Sequence, residues 1–469
     1  MTDQPGSKWL CPVISIGLLL ASTSTFQAQQ SSSPALITLT QALQMSLKNY
    51  PSIRVSQEEM NAAGALIQLA RTAYLPKVDA LAQMNRATRN NVFGLLLPQS
   101  VIPSISGPVI GSNNLGSVWG SAFGVVVSWE PFDFGLRRAN VAVASAAQAQ
   151  SEAALKRTQF DVVVATADAY LTVIAAQETV KAAQAGVDRA AVLVQTITSQ
   201  VNAGLRPGAE KSRAEAEQAA ARTQLIQVGQ AVEVARATLS QFIGGEPSQI
   251  DVAIGTLAQS APEQAPPPLT TASNPLAIEQ TAAVEQAQAQ LRVLERSYFP
   301  TFNLQASAYA RGTGADVNGS RLGGANGLGP NVENYALGFT VTFPLLGLPA
   351  LRAREAAQSA IIRSQTARSE RIAVDLRAQW NRAVAILNGA RRVAGNTPVQ
   401  VAAARAATQQ ATARYGAGLG NINEVAEAQR LLMQAEIDDV LARLSVWRGL
   451  LGIAAAAGDI QPFVAETTR

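Results

Sequence analysis

The side chains that do most enzymatic and metal chemistry are nearly missing from this chain. Its 469 residues include no histidine and one cysteine, Cys11. That removes the usual general base, the commonest metal ligand and every Ser–His or Cys–His pairing. No P-loop or dinucleotide-binding glycine motif is present. The charge patterning that remains is helical. Arg157 and Asp161, like Arg371 and Asp375, stand four residues apart, a spacing that supports helix-surface pairs of about 0.2–0.5 kcal/mol. Glu210 and Glu424 each follow a glycine-bearing turn, where the dipole of a new helix favours a carboxylate. The 37 basic and 33 acidic residues leave +4, dispersed without a basic block, so nucleic acid is not an expected partner. Catalytic residues, a cofactor and a bound metal are not expected.

Those pairs call for long helices. The stretch 133–206 has no proline, and only Gly135 and Gly186 interrupt it before its closing turn. As one helix its roughly 70 residues would span about 100 Å, and it is too polar to lie in lipid. Phe160, Val163, Ala167, Leu171 and Ile174 mark a narrow apolar seam along it. The run Ala203-Gly204-Leu205-Arg206-Pro207-Gly208 predicts a turn after a helix over 133–203, and a return helix follows over 209–242.

Upstream, residues 1–28 read as a signal peptide: Lys8 precedes an apolar run at 13–21, and cleavage after Ala28 would remove Cys11. A short helix over 37–48 is expected, with Thr40 as its N-cap, then a second from Pro51 to about Tyr74. The period then changes to two. A hairpin is expected over 76–131, with a loop at 90–117. In its first strand Val78, Ala80, Ala82 and Met84 alternate with Lys77, Asp79, Gln83 and Asn85. In its second, Trp119, Phe123, Val125, Val127 and Trp129 share one face, and Gly120, Ala122, Gly124 and Ser128 the other.

After a linker at 244–272 the pattern restarts. Pro51 is echoed by Pro275 and Pro76 by Pro300, both at an offset of 224. Beyond the next strand the offset becomes 214: Val127 matches Val341, Arg138 matches Arg352, Asp161 matches Asp375, and Gly204-Leu205 match Gly418-Leu419. The chain reads as a tandem duplication, 29–243 and 273–457, with a C-terminal tail at 458–469. The second copy has a hairpin at 300–344, a long helix at 351–415 and a return helix at 423–451. Its second strand sets Tyr335, Leu337, Phe339, Val341 and Phe343 against Ala336, Gly338, Thr340 and Thr342. Gly389, Gly395 and Pro398 predict a bend or break in its long helix.

The aromatic and aliphatic strand faces, opposed by small polar ones, have the pattern of lipid-facing barrel strands. Four strands cannot close a transmembrane barrel, so at least two chains are needed, and three would supply twelve strands. The alternative is a soluble periplasmic coiled-coil scaffold or adaptor with its hairpins laid on a helical bundle. That alternative explains the long helices but not four amphipathic strands.

In order and spacing the chain resembles the TolC-like outer membrane efflux proteins. The resemblance covers nearly all of the expected mature chain. It is carried by the duplication, Asn49-Tyr50-Pro51, the Leu75-Pro76 stop, the junction Trp129-Glu130-Pro131-Phe132-Asp133-Phe134-Gly135 and the Gly-Leu turns. It implies a mainly α fold with a membrane β-barrel: a homotrimer with a twelve-stranded barrel in the outer membrane of a Gram-negative-type cell, above a long periplasmic α-helical tunnel. It also implies a passive duct of a tripartite efflux or type I secretion system, working with a periplasmic membrane fusion (adaptor) protein and an inner-membrane pump. Gly204, Leu205, Gly418 and Leu419 then match the adaptor-contacting tip. The chain departs from the family in having Ala203 and Ala417 where valine is common, and no carboxylate across 393–414, so an acidic ring is not expected on that helix. Asp188 is read as a surface charge.

Overall fold

The computed structural model describes residues 36–88, 116–259, 261, 268–316 and 320–467; the expected signal peptide and most of the loop 90–117 lie outside them. Strand β1 (Leu36–Ile37) leads into helix α1 (Leu39–Asn49). The N-cap is Thr38 and not Thr40, because only Thr38 can close a capping box: its hydroxyl accepts from Gln41 N, and Gln41 Oε1 accepts from Thr38 N at 2.9 Å. Helix α2 (Pro51–Thr72) starts on a proline, whose missing N–H costs nothing at that position. Strands β2 (Lys77–Thr88) and β3 (Ser117–Trp129) follow, then helices α3 (Leu136–Asn202) and α4 (Gly208–Ile243). Strand β4 (Asp251–Val252) comes before the second half: α5 (Pro275–Arg296), β5 (Thr301–Thr313), β6 (Val332–Thr342), α6 (Leu348–Gly416) and α7 (Ile422–Ala457). The expected tail contains a further helix, α8 (Gln461–Thr467), because Phe463 buries itself edge-on against Trp447.

The two hairpins join. β3 pairs with β5, giving one antiparallel sheet in the order β2-β3-β5-β6. Beneath it α3 is the axis of the helical part. Near the sheet, α2 and α5 flank α3, and α5 in turn packs on α6. Further away α4 packs along α3, α7 along α6, and α3 meets α7. The 67-residue α3 is thereby about 100 Å long with partners at every level.

The expected break at Pro398 is absent: α6 runs continuously over 69 residues with Pro398 inside it. Pro398 is exposed, so its ring points away from the packed face, and the carbonyl it frees is that of Ala394. Beside it the Thr397 hydroxyl lies 3.4 Å from that carbonyl and donates to Asp439 Oδ1 at 2.8 Å, tying this turn to α7. Pro398→Ala restores an N–H to the helix. An interior proline costs about 3 kcal/mol relative to alanine, so we expect a gain of about 1–3 kcal/mol, read as a higher thermal midpoint. A lower midpoint would show that the packing of α6 depends on the proline.

The apolar seam of α3 is wider than its spacing predicts. Val163, Ala167, Leu171 and Ile174 are buried, but so are Val162, Thr166, Ala169, Tyr170 and Val173, while Phe160 is half-buried. Helices α1, α4, α5 and α7 approach α3 from several sides, so its buried surface spreads beyond one seam, while Asp161 and Asp168 stay exposed. The segment expected as a linker contributes to the same core through Ile250, Val252 and Leu257. Tyr170 lies within hydrogen-bond distance of the carbonyls of Ile37 (2.9 Å) and Ala253 (2.6 Å), and burial pushes its phenol pKa up. It thus ties both short strands to the middle of α3. Helices α3 and α7 each contain a window long and apolar enough to cross a membrane, with 56% and 50% of those windows buried inside the protein. This mutual burial accounts for their apolar composition.

Candidate functional site: the sheet faces and the helical tip

Directly paired residues in an antiparallel sheet point to the same side. The register therefore sorts every strand position onto one of two faces. Val341 pairs with Phe302, Phe339 with Leu304, Leu337 with Ala306 and Tyr335 with Ala308. Leu304 pairs with Trp129, Ala306 with Val127, Ala308 with Val125 and Ala310 with Phe123, and these continue to Val78, Ala80 and Ala82. The result is one continuous apolar face. It is open: Tyr335 is 88% exposed, and Leu337, Phe339, Val341, Phe123, Val125, Trp129 and Val78 are exposed as well. Trp119 and Val127 on this face are half-buried, and Phe343 lies exposed just beyond β6. Trp119 and Trp129 are ten residues apart on β3, about 34 Å along a strand, or about 25 Å in height at barrel tilt.

The opposite face carries Asn303, Gln305, Ser307 and Tyr309 of β5 and Ala336, Gly338, Thr340 and Thr342 of β6, with Gly120, Ala122, Gly124 and Ser128 of β3. A Cβ at Gly124 would fall 2.3 Å from Tyr309 Cβ, so only glycine lets that tyrosine lie across β3. Val118 and Val126 also belong to this face and are buried. Their even spacing with Gly120 and Gly124 was the available signal, masked by their apolar character. Gln305 Oε1 and Ser307 Oγ are buried there with no hydrogen-bond partner among the described residues.

The junction from strand to helix is held by one carboxylate. Asp133 Oδ2 accepts from Arg137 N (2.6 Å) and Arg137 Nε (2.9 Å), and Oδ1 accepts from Gly135 N (3.1 Å). Burial pushes the Asp133 pKa up, but the bonds from Arg137 and Gly135 outweigh it and the carboxyl titrates below its ordinary value. The stability it contributes is therefore present above the ordinary carboxylate range and is lost as pH falls through the lowered value. Arg137 also stacks over the Tyr74 ring at 5.0 Å and donates to Ala73 O, which ties α3 to the end of α2. Phe132, Phe134, Phe299 and Phe302 cluster around this corner with centroids 4.6–6.0 Å apart.

At the far end the two helical hairpins end in the same backbone motif. Gly204 and Gly418 adopt φ of 72° and 76°, the left-handed region that glycine enters without steric cost. Leu205 N donates to Gln200 O and Gly204 N to Val201 O; Leu419 N donates to Arg414 O and Gly418 N to Tyr415 O. These are paired Schellman closures. In that motif the residue after the glycine commonly packs back on the helix. Here Leu205 and Leu419 are instead 73% and 74% exposed.

A tie between the two turns was not legible in the sequence. Tyr415 is buried beneath them and donates to Glu210 Oε2 at 2.5 Å; Arg206 stacks on its ring at 4.5 Å and donates to its carbonyl at 2.8 Å. Glu210 and Glu424 do sit in first helical turns, but Glu210 reaches across to the other hairpin. Burial, then the bond to Glu210, pushes the Tyr415 pKa up to about 12. The fold holds the neutral phenol, so the tie is complete below about pH 10 and is lost as pH rises through the folded value. Tyr415→Phe removes a bond to a charged group worth about 1.5–3 kcal/mol, so amide exchange in both turns is expected to rise about tenfold or more. Unchanged exchange would mean the tie contributes nothing. Asp188 is exposed and bonded to Gln184, and among the described residues no cluster of three or more carboxylates has metal-binding geometry.

Comparison with known proteins places this geometry. A family model described as "Outer membrane efflux protein" matches residues 42–245 and again 267–459. No match was found among curated protein sequences. Among solved structures, the CmeC outer membrane channel of Campylobacter jejuni superposes with a TM-score of 0.71 at 14% identity over 98% of both chains. VceC of Vibrio cholerae gives 0.69 at 16% identity, covering 90% of this chain and 96% of that one. The open-state MtrE channel of Neisseria gonorrhoeae gives 0.69 at 18% identity, covering 90% and 89%.

Proposed function

The chain belongs to the outer membrane efflux protein family, and from that premise we propose how its surfaces make a duct. It is an outer membrane channel component of an efflux system. Three copies close one twelve-stranded barrel that continues into a periplasmic helical tunnel. The observation that carries this reading is the sheet itself: one exposed apolar face, and two edge strands, β2 and β6, of 12 and 11 residues. With four antiparallel strands, β2 and β6 run in opposite directions. The β6 of one copy therefore meets the β2 of the next as an antiparallel pair, and a rotation closes the ring. The helical edges repeat the logic, since α6 bounds one side and α2 and α4 the other. A soluble scaffold would leave the whole apolar face in water, which disfavours it.

The apolar face lies in lipid, and the small and polar face lines the lumen. The two successive family matches and the repeated element order support descent by tandem duplication. Conduction is passive, with energy supplied by an inner-membrane pump through a periplasmic adaptor. The exposed Leu205 and Leu419 are the adaptor contacts, and Gly204 and Gly418 set their geometry. The test is single-channel conductance in planar bilayers, combined with a cysteine pair placed in β6 and β2. Pores, and disulfide-linked trimers, are expected. Protein that forms neither, even with the tip loosened, overturns the reading.

A further inference from the structure

The distal rim of the sheet carries residues that neither conduction nor the tip uses. On β2 the outward series Val78, Ala80, Ala82, Met84 ends in Arg86, two residues from the strand's end. Arg86 pairs in register with Trp119, and its guanidinium lies 5.2 Å from that ring's centroid. Arg86 Nε donates to Ser117 Oγ at 2.9 Å, which fixes the plane of the guanidinium and leaves its two terminal nitrogens unpartnered among the described residues. Gly314 N donates to Trp119 O at 2.8 Å, which holds the loop after β5 at the same rim, and a bridge between Ala315 and Arg321 folds that loop back on itself. Arg86, Arg321, Ser117, Asn326 and the backbone of Gly323 and Gly324 line a cavity of about 90 Å³. Neither arginine forms an ion pair among the described residues.

Two unpaired guanidiniums beside one small polar cavity repel each other unless an anion lies between them. Their planar forks match phosphate oxygens in bidentate fashion, and this favours phosphate over a halide. Height decides the source. Trp119 marks the distal edge of the apolar band, and Arg86 stacks on it, so the cavity sits where outer-leaflet headgroups begin. Basic pockets at that level recognise lipid phosphates. We propose that this cavity is a phosphate site for a phosphorylated glycolipid of the outer leaflet, clamped by Arg86 and Arg321. The inference rests on the sheet's apolar face lying in the outer membrane.

The experiment uses the full chain in detergent, titrated with bisphosphorylated lipid A, with dephosphorylated lipid A and with inorganic phosphate, and read by native mass spectrometry. Arg86→Gln with Arg321→Gln is compared with the paired lysine variant, which keeps the charges but loses the forks. We expect bisphosphorylated lipid to bind, the glutamine pair to bind it at least about tenfold more weakly, the lysine pair to fall between, and dephosphorylated lipid to bind wild type no better than the glutamine pair. Equal binding of both lipids, or inorganic phosphate that binds as well as the lipid and displaces it, overturns the assignment. So does wild-type binding by the lysine pair, which would reduce the site to charge attraction. Flotation with phosphatidylcholine vesicles separates the two claims. Protein that inserts without discriminating phosphate sinks this site alone, whereas protein that never inserts sinks the barrel beneath it.

Discussion

Leu205→Asp together with Leu419→Asp is expected to abolish export and to leave the protein assembled in the outer membrane. Both leucines stand in water at the tip, so neither substitution removes a packed side chain. The turns themselves close through backbone bonds, from Leu205 N to Gln200 O and from Leu419 N to Arg414 O, which a side-chain change leaves intact. What is lost is apolar area available to a partner. Burying a leucine contributes about 1.5–3 kcal/mol, and a carboxylate in its place adds a desolvation cost. With two such positions in each chain of the proposed trimer, an adaptor contact built on them is not expected to survive. Loss of export should be complete in a susceptibility or secretion assay, while fractionation and semi-native gels show normal trimers. The alanine pair should fall between. Export at the wild-type level would remove the tip from the contact surface.

The second large effect separates the two faces of β6. Leu337 is at the middle of Val332–Thr342 and points outward with Phe339 and Tyr335. In the proposed barrel, Leu337→Arg would place a charge near the bilayer midplane, at about 2–4 kcal/mol per copy, repeated in every copy of the ring. Assembled protein is expected to disappear from the outer membrane fraction. Thr340→Arg introduces the same side chain three residues on, on the face shared with Asn303, and is expected to assemble normally because a lumen is wet. Equal assembly of the two variants would mean that the apolar face is not in lipid.

Much of the architecture follows from local rules. Period-two alternation sorted Tyr335, Leu337, Phe339 and Val341 from Ala336, Gly338 and Thr340, and the register keeps that sorting because strand geometry forbids neighbours from sharing a side. Helix α3 follows from a proline-free run of good helix formers, and the Gly204 and Gly418 turns from the one residue that enters left-handed backbone freely. Local rules failed where a neighbour decided the outcome. Pro398 does not break α6, because it falls on the exposed face while Thr397 beside it bonds to α7. The tail is a helix because Phe463 finds Trp447. The linker enters the core because Tyr170 bonds near Ala253.

By itself, then, the sequence determined which residues share a face, where the chain turns, and that no catalytic apparatus built on histidine is available. Only the tertiary structure decided which faces meet. Tyr415 and Glu210 are 205 residues apart and Arg157 and Glu279 are 122 apart, and no local pattern predicts either bond. The joining of two hairpins through β3 and β5, the open edges at β2 and β6, and the paired arginines at the distal rim belong to the same class. Backbone preference acts over a few residues and leaves its mark in the spacing of side chains. Packing acts between segments brought together from anywhere in the chain, so its outcome is written in contacts and not in spacing.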